Sequence, residues 1–392
     1  MRLLFVSMGA RIIMDKTGKL YLNSHMNRKT IKRYADICDE FRMILRDSNI
    51  RCSEEEAQSK YDLFPKDLAK LEVCFNPYSP KTNLVNLKEY KKMETVFDEN
   101  IKWADRVIIA SAVGIYSEKA IKYCKKYQKK YMLLVGGFAY ETDWNHGLDG
   151  KLVAWRNEQK CKKNISEAPY GLYVTQEALQ KRYPCAGKTI GCSDVEITDL
   201  NPNILKRRFE KITSKKMPLV LGTAANIDDK RKGHRNVIKA ISALKRKGYR
   251  FEYHLLGNGS GKELMAYAEK YNVADQVKLD GSMPHSEVYG WLDGIDIYVQ
   301  PSFSEGLCRA VVEAMSRACP VVCTDVGGNS ELCPQEFLTK AGDACSIAEV
   351  LEKLISVNVR MKHAETSFKK VHEYYCETLD KKRLQFLLDF VN

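Results

Sequence analysis

Two α/β domains, each a parallel sheet wrapped by helices, are what this sequence predicts. Three observations carry that prediction. Short β-rich runs alternate with helix-period segments along the chain. Its 392 residues exceed one ordinary core at roughly 100–200 residues per domain. One buried apolar run ends in a glycine-bearing turn that opens a helix. Hydrophobic residues at 44% and charged residues at 29% exclude a disordered or collagen-like chain.

In the first half, Leu3 to Met8, Arg106 to Ser111, Tyr131 to Val135 and Gly171 to Thr175 read as buried strands. Between the second and third, Ser117 to Lys129 carries charge on one face and Ala120, Ile121 and Cys124 on the other, as a crossover helix does. The second half repeats the scheme with Leu219 to Thr223, Phe251 to Leu256, Gln276 to Leu279, Ile295 to Gln300 and Val321 to Thr324. The turn formers Asp199, Asn201, Pro202 and Asn203, followed by a basic helical stretch, put the boundary between Ile197 and Lys216. The predicted domains are therefore 1–200 and 201–374. The last stretch, Phe368 to Val391, has the apolar spacing of a packed terminal helix. Its end, about 375–392, is expected to cross back to the first domain.

The net charge is +13. Nucleic acid, an anionic membrane surface and a phosphorylated substrate all suit it, and so does scattered solubilising lysine. The densest basic stretches, Lys119 to Lys130 and Lys206 to Lys216, lack the interleaved aromatic platforms and glycines of a nucleic-acid reader. No nucleic acid is expected. Thirteen cysteines stand singly from Cys38 to Cys376, without a Cys-x-x-Cys pair, and no His cluster has zinc-ligand spacing. Such cysteines read as reduced thiols. The apolar N-terminal run is too short for a signal core, and no run approaches the roughly 20 apolar residues of a membrane span. A cytoplasmic protein is expected.

The segment with the most specific chemistry is Val299-Gln300-Pro301-Ser302-Phe303-Ser304-Glu305-Gly306-Leu307-Cys308-Arg309-Ala310-Val311-Val312-Glu313-Ala314-Met315. It is a strand, a glycine turn and a helix that begins near Leu307. In open parallel sheets, ligands collect beyond the carboxyl ends of strands, where helix N-termini offer unpaired N–H groups to anions. A diphosphate fits there. Glu305 precedes the helix, and Glu313 is expected two turns into it. A carboxylate set against a diphosphate is repelled, so each glutamate is expected to face neutral hydroxyls.

Pro301-Ser302, Glu305-Gly306, Glu313-Ala314-Met315, Pro320-Val321-Val322, Gly327-Gly328 and Glu331-Leu332 together resemble the donor-site signature of the family 4 retaining glycosyltransferases of GT-B fold. The resemblance extends upstream through Lys232-Gly233, Gly257-Asn258-Gly259, Val277 to Gly281 and Asp296 to Ser302, covering Leu219 to Leu332. Tyr173-Val174-Thr175 and Arg182-Tyr183-Pro184 are similar to a branch involved in bacterial surface-polysaccharide assembly, such as capsule or O-antigen.

The resemblance implies two Rossmann-like domains whose parallel sheets face each other across a cleft. It implies a hexose-type transfer from a nucleotide diphosphate sugar, such as a UDP- or GDP-sugar, to a glycan or lipid-linked acceptor. Glu305 is then expected to support the donor sugar, and Lys232 the leaving diphosphate. Glu313 is expected at the ribose, the backbone of Gly306, Leu307 and Cys308 at sugar and phosphate, Gly281, Ser282 and Met283 at the base, and Gly222 and Arg309 also on the donor side. No cofactor and no metal are expected, and the basic charge suggests an anionic membrane surface on the cytoplasmic side.

The chain also departs from the family pattern. The arginine that usually follows the strand glycine is missing, since Gly222 is followed by Thr223-Ala224-Ala225-Asn226. Arg309 and Arg231 are the candidates to replace its charge. The double-glycine loop after the first strand is reduced to Gly9. The first-domain histidine has no match after Tyr131 to Val135, where Gly136-Gly137 and then Asp143-Trp144-Asn145-His146-Gly147 follow. Gly9 and His146 are the acceptor-side candidates. Two rival readings stand beside the transferase: a nucleotide-sugar epimerase, which needs no acceptor, and a non-catalytic basic protein on the same scaffold, which binds membrane or nucleic acid.

Overall fold

The computed structural model describes residues 1–22, 26–74, 86–145, 147–214 and 217–392. Among the described residues, nine strands form the first sheet: β1 (Arg2–Asp15), β2 (Leu20–Leu22), β3 (Glu40–Cys52), β4 (Asp62–Leu63), β5 (Lys70–Cys74), β6 (Arg106–Ile109), β7 (Lys130–Val135), β8 (Tyr170–Tyr173) and β9 (Lys188–Gly191). Six form the second: β10 (Leu219–Ala224), β11 (Phe251–Leu256), β12 (Val277–Gly281), β13 (Ile297–Gln300), β14 (Val321–Thr324) and β15 (Leu338–Thr339).

Seven strands of the first sheet run parallel in the order β5-β3-β1-β6-β7-β8-β9. The short β2 and β4 add an antiparallel extension beyond β1. The second sheet is wholly parallel, in the order β12-β11-β10-β13-β14-β15. Parallel strands need helical crossovers that cover both faces of the sheet, so their sequences are apolar without alternation. All four residues of β13 and all four of β14 are buried. The strand order reverses between β10 and β13, the place where doubly wound sheets bind ligands.

Three expectations need correction. The first strand does not stop at Met8. β1 runs on to Asp15 through a register shift between Ser7 and Arg11, where the Ala10 N–H donates to Ser7 Oγ at 3.1 Å. Gly9 therefore sits in a bulge inside a strand, exposed, rather than in a loop after one. Phe368 to Val391 is not one helix. The helix Val357–Val371 ends, a 3-10 turn spans His372–Tyr374, and a last helix runs over Cys376–Val391. Tyr375 is extended and bridges Ile197, and the Cys376 N–H donates to the Ile197 carbonyl at 2.9 Å. The two strands of chain that pass between the sheets thus lie side by side. Strands β3 and β5 were not expected at all.

The last helix lies on the first sheet. The Tyr170 ring meets Phe386 and Phe390 edge-on at 5.7 and 5.2 Å. Arg106 Nε donates to the Phe390 carbonyl at 3.0 Å, and Lys188 pairs with Asp389 at 2.7 Å.

Candidate active site

The switch point of the second sheet is built from two loops that touch. After β10 the chain makes a one-turn 3-10 helix, Lys230–Lys232, capped by the Asp229 carboxylate. It then turns at Gly233, whose φ of 72° favours glycine, into the helix His234–Arg246. A Cβ at Gly233 would lie 1.9 Å from the Pro301 carbonyl oxygen. The loops are therefore packed backbone to backbone, and the Phe303 N–H donates to the Arg231 carbonyl at 2.8 Å.

That packing brings Lys232 Nζ to 2.7 Å from Glu305 Oε1. Ser302 Oγ donates to the same oxygen at 2.7 Å, and Gln300 Nε2 at 3.2 Å. Ser302 and Gln300 are buried. Burial alone would lower the Lys232 pKa, but the charge and hydrogen bond of Glu305 hold it above its ordinary value. The lysine is thus firmly cationic. Glu305 does not face only neutral donors, as the sequence suggested; a lysine is its partner.

Glu313 differs from expectation in the same way. It is the fifth residue of the helix Arg309–Ser316, little more than one turn in. His285 Nε2 lies 3.1 Å from its Oε1. That hydrogen bond, against the opposing pull of burial, raises the His285 pKa above the ordinary 6.5, and the nearby Arg309 charge opposes it. His285 lies just beyond Gly281, the last residue of β12, and Ser282 and Met283, which follow it. Gly281 has a φ of 74° and its carbonyl accepts from the Gly257 N–H at 2.7 Å.

Among the described residues, no side chain caps the helix that begins at Arg309, so its first N–H groups have no such partner there. Leu307 and Cys308 are buried just before it. Burial pushes the Cys308 thiol well up, which leaves backbone rather than sulfur to meet a ligand. Arg309 is exposed at the helix start. Arg231 is held by Asp229, with Nη2 to Oδ2 at 2.8 Å and Nε to Oδ1 at 3.0 Å, so its charge is already engaged. Gly222 is not a cleft residue. It is buried in β10, and a Cβ there would meet the Ile295 side chain at 2.7 Å. Its role is packing.

The first domain meets this site directly. A Cβ on Gly306 would lie 2.0 Å from the Gly136 carbonyl oxygen, so the loops after β7 and β13 are in contact. The Glu331 carboxylate accepts the backbone N–H groups of Gln176, Glu177 and Ala178 at 2.7, 2.9 and 2.6 Å. Three charge-assisted bonds fix the loop after β8 to the second domain. In the seam lies a cavity of about 230 Å³, lined by Phe138, Glu141 and Ala178 on one side and by Ser304, Glu305 and Gly327 on the other.

Among the described residues, the buried Glu141 Oε2 has no hydrogen-bond partner. A buried carboxylate oxygen left unpaired is costly, and such a group calls for a ligand or a functional reason. Glu158, itself buried, supports this region. It accepts from Arg182 Nε and from the Tyr183 hydroxyl, each at 2.7 Å, and from the Tyr140 N–H at 3.3 Å. The Arg-Tyr-Pro motif therefore holds the start of the helix Ala139–Trp144, which carries Glu141. His146, the other acceptor-side candidate, lies outside the described residues.

Sequence reasoning missed His285, Glu141 and the partner of Glu331. A Pro-His step opening a helix after the base-side loop was the only available signal for His285. Nothing local marked Glu141.

Comparison with known proteins gives the family and the fold. Residues 206–370 match the family described as glycosyl transferases group 1. Protein CapJ of Staphylococcus aureus is 31% identical over 318 residues, which is 80% of this chain and 78% of that protein. A putative colanic acid biosynthesis glycosyltransferase, WcaL of Salmonella typhimurium, is 32% identical over 154 residues, covering 37% of this chain and 38% of that one. Among solved structures, Anabaena HepE in complex with UDP and glucose superposes with a TM-score of 0.63 at 15% identity, covering 99% of each chain. At that identity the likeness speaks to the fold, which is GT-B. Since a relative shares nearly a third of its residues over four-fifths of the chain, the protein belongs to the glycosyl transferases group 1.

Proposed function

We propose that this glycosyltransferase moves a hexose-type sugar, with retention of anomeric configuration, from a UDP- or GDP-sugar to an acceptor hydroxyl in the assembly of a bacterial surface polysaccharide. The observation that carries the reading is the Lys232–Glu305 contact of 2.7 Å at the switch point. It sets a fixed cation and a carboxylate where ligands of such sheets bind.

In this reading Lys232 and the uncapped helix start take up the negative charge that develops on the departing diphosphate. Glu305, steadied by Ser302 and Gln300, accepts hydrogen bonds from the donor sugar. Glu313 holds the ribose, displacing His285, and the loop 281–283 meets the base. The bond from the anomeric carbon to the diphosphate oxygen breaks, and the acceptor oxygen bonds to that carbon on the same face. The acceptor proton passes to the departing phosphate oxygen, so no protein nucleophile is needed. Arg309 supplies the second positive charge in place of the missing arginine, and the donor substrate serves without metal or cofactor.

Glu141 fills the vacant acceptor role. Its unpaired oxygen, across the cavity from Glu305, is placed to accept a hydrogen bond from the incoming hydroxyl. The names of WcaL and of HepE with its bound UDP and glucose support a polysaccharide product and a nucleotide donor. We further propose a lipid-linked or glycan acceptor, met on the cytoplasmic face of a membrane.

Glu305→Ala and Lys232→Ala are expected to fold and to lose about 10²–10³-fold in turnover, the scale of a removed transition-state donor. Unchanged turnover in both variants removes the site assignment. An inverted anomer in the product, read by NMR, overturns retention. Isomerised sugar from donor alone favours the epimerase instead.

A further inference from the structure

The helix Leu148–Ser166 has apolar residues on two separate faces. Inward, Ala154, Cys161 and Ile165 are buried in the first domain. Outward, Leu148, Leu152 and Trp155 are 81%, 85% and 69% exposed. At 100° per residue these three fall within about 60° of one another, a single strip along the helix. Trp144, 42% exposed, stands beside it and is joined to it by Lys151, whose Nζ lies 5.1 Å from its ring centroid.

Cations edge this strip on both sides. By the same helical projection, Lys151 and Lys162 lie along one flank and Arg156 and Lys163 along the other. Lys162 is 3.5 Å from Glu158. Among the described residues, none of Lys151, Arg156 and Lys163 has a carboxylate within ion-pairing distance. Asp149 is the one acid on the outward half. Isolated exposed apolar side chains are ordinary, but a continuous strip is not.

We infer that this face is a docking surface for an anionic lipid bilayer, with the strip entering the headgroup region and the flanking cations on the phosphates. An apolar strip between two rows of cations is the pattern of a helix lying in a membrane interface. A second copy of the chain is a poor occupant, because the cations would then face their own images, on a chain of net charge +13.

The position of the face gives the docking a purpose, and here the inference rests on the proposed lipid-linked acceptor. Asn157 Nδ2, on this helix, donates to Asp143 at 2.8 Å. Asp143 and Thr142 line a cavity of about 260 Å³ together with Gly136 and Phe138. The rim of the acceptor side is thus one residue from Trp144, and docking brings it to the headgroups.

Flotation with vesicles of equal parts phosphatidylglycerol and phosphatidylcholine, and with phosphatidylcholine alone, tests the inference. The wild-type chain is expected to float with the anionic vesicles and far less with the neutral ones. A triple variant, Leu148→Ser with Leu152→Ser and Trp155→Ser, and a second, Lys151→Glu with Arg156→Glu and Lys163→Glu, are each expected to lose about tenfold in binding. Melting temperature and nucleotide binding should stay unchanged, since none of these residues touches the core or the donor site. Wild type that stays unbound, or variants that float equally well, overturn the inference. So does a wild-type dimer, detected by sedimentation, that the serine variant dissolves. Nucleotide titration on the same samples reads the donor-site proposal separately, so its failure would leave the vesicle result standing.

Discussion

At the switch point of the second sheet, the loops after β10 and β13 carry Lys232 and Glu305 in contact. At the matching point of the first sheet, β6 leads into Ala110 and Ser111 and β1 runs through its bulge at Met8 and Gly9, four residues that bring no charge. Two sheets of one architecture are thus fitted for different work. Under the proposed function, the second offers fixed positive charge for a diphosphate, and around Glu141 the first offers backbone, small side chains and a carboxylate oxygen without a hydrogen-bond partner among the described residues, for a neutral hydroxyl. The proposed diphosphate half lies within one domain, while the proposed acceptor half depends on how the two domains are seated.

That comparison can be broken at the seam. Gly306→Ala places a methyl 2.0 Å from the Gly136 oxygen and forces the halves apart. Turnover should fall by about 10²-fold, the scale of an ångström's misplacement, with nucleotide affinity little changed. Small-angle scattering of the variant should show an opened particle. Glu141→Gln comes next. It is expected to weaken the acceptor KM about tenfold, as loss of one charge-assisted bond does, while slow hydrolysis of the donor by water persists. Equal loss of both activities would place Glu141 in the fold rather than at the acceptor.

Glu331→Ala removes the acceptor of three N–H groups from the loop 176–178. Hydrogen bonds to a charged group contribute about 1.5–3 kcal/mol, so melting should drop measurably, and turnover should drop with it. The smallest effect concerns His285. Its pKa is raised by Glu313, so the pair's contribution is full below the ordinary value and fades as pH rises through the raised one. Glu313 is then released toward the ribose. Nucleotide affinity should rise with pH by less than about fivefold, the scale of an exposed ion pair, and His285→Asn should abolish that slope in a titration series.

How much of this was legible in the sequence follows from where each signal resides. β13 and β14 were readable because strands covered on both faces are apolar throughout. β3 was not, although it lies beside β1 at the heart of its sheet. Arg42, Arg46 and Asp47 interrupt it, and the charges of Arg42 and Asp47 are answered only in the folded chain. Arg42 sits 3.8 Å over the Trp103 ring and donates to Asn100, and Asp47 accepts from Arg51. β9 is an edge strand with two exposed residues and no apolar run.

The same divide runs through the site. Glu305, Glu313 and Lys232 sit in local motifs, and their residue types and spacing named them. Their partners lie far off in sequence: Glu313 meets a histidine 28 residues away, and Glu331 meets N–H groups more than 150 residues away. Gly222 misled because a glycine that makes room for Ile295 looks, in sequence, like one that makes room for a phosphate. Gly9 misled because a bulge inside β1 was read as the strand's end.

The central claim, that Lys232 and Glu305 form the charge-bearing heart of a nucleotide-sugar site, is tested most directly by calorimetric titration of UDP and GDP into the wild type, Lys232→Ala and Glu305→Ala. One of the two nucleotides is expected to bind the wild type, to bind Lys232→Ala at least about tenfold more weakly for want of a fixed cation, and to bind Glu305→Ala no more weakly than wild type. Equal affinity for the wild type and Lys232→Ala, with either nucleotide, would contradict the account.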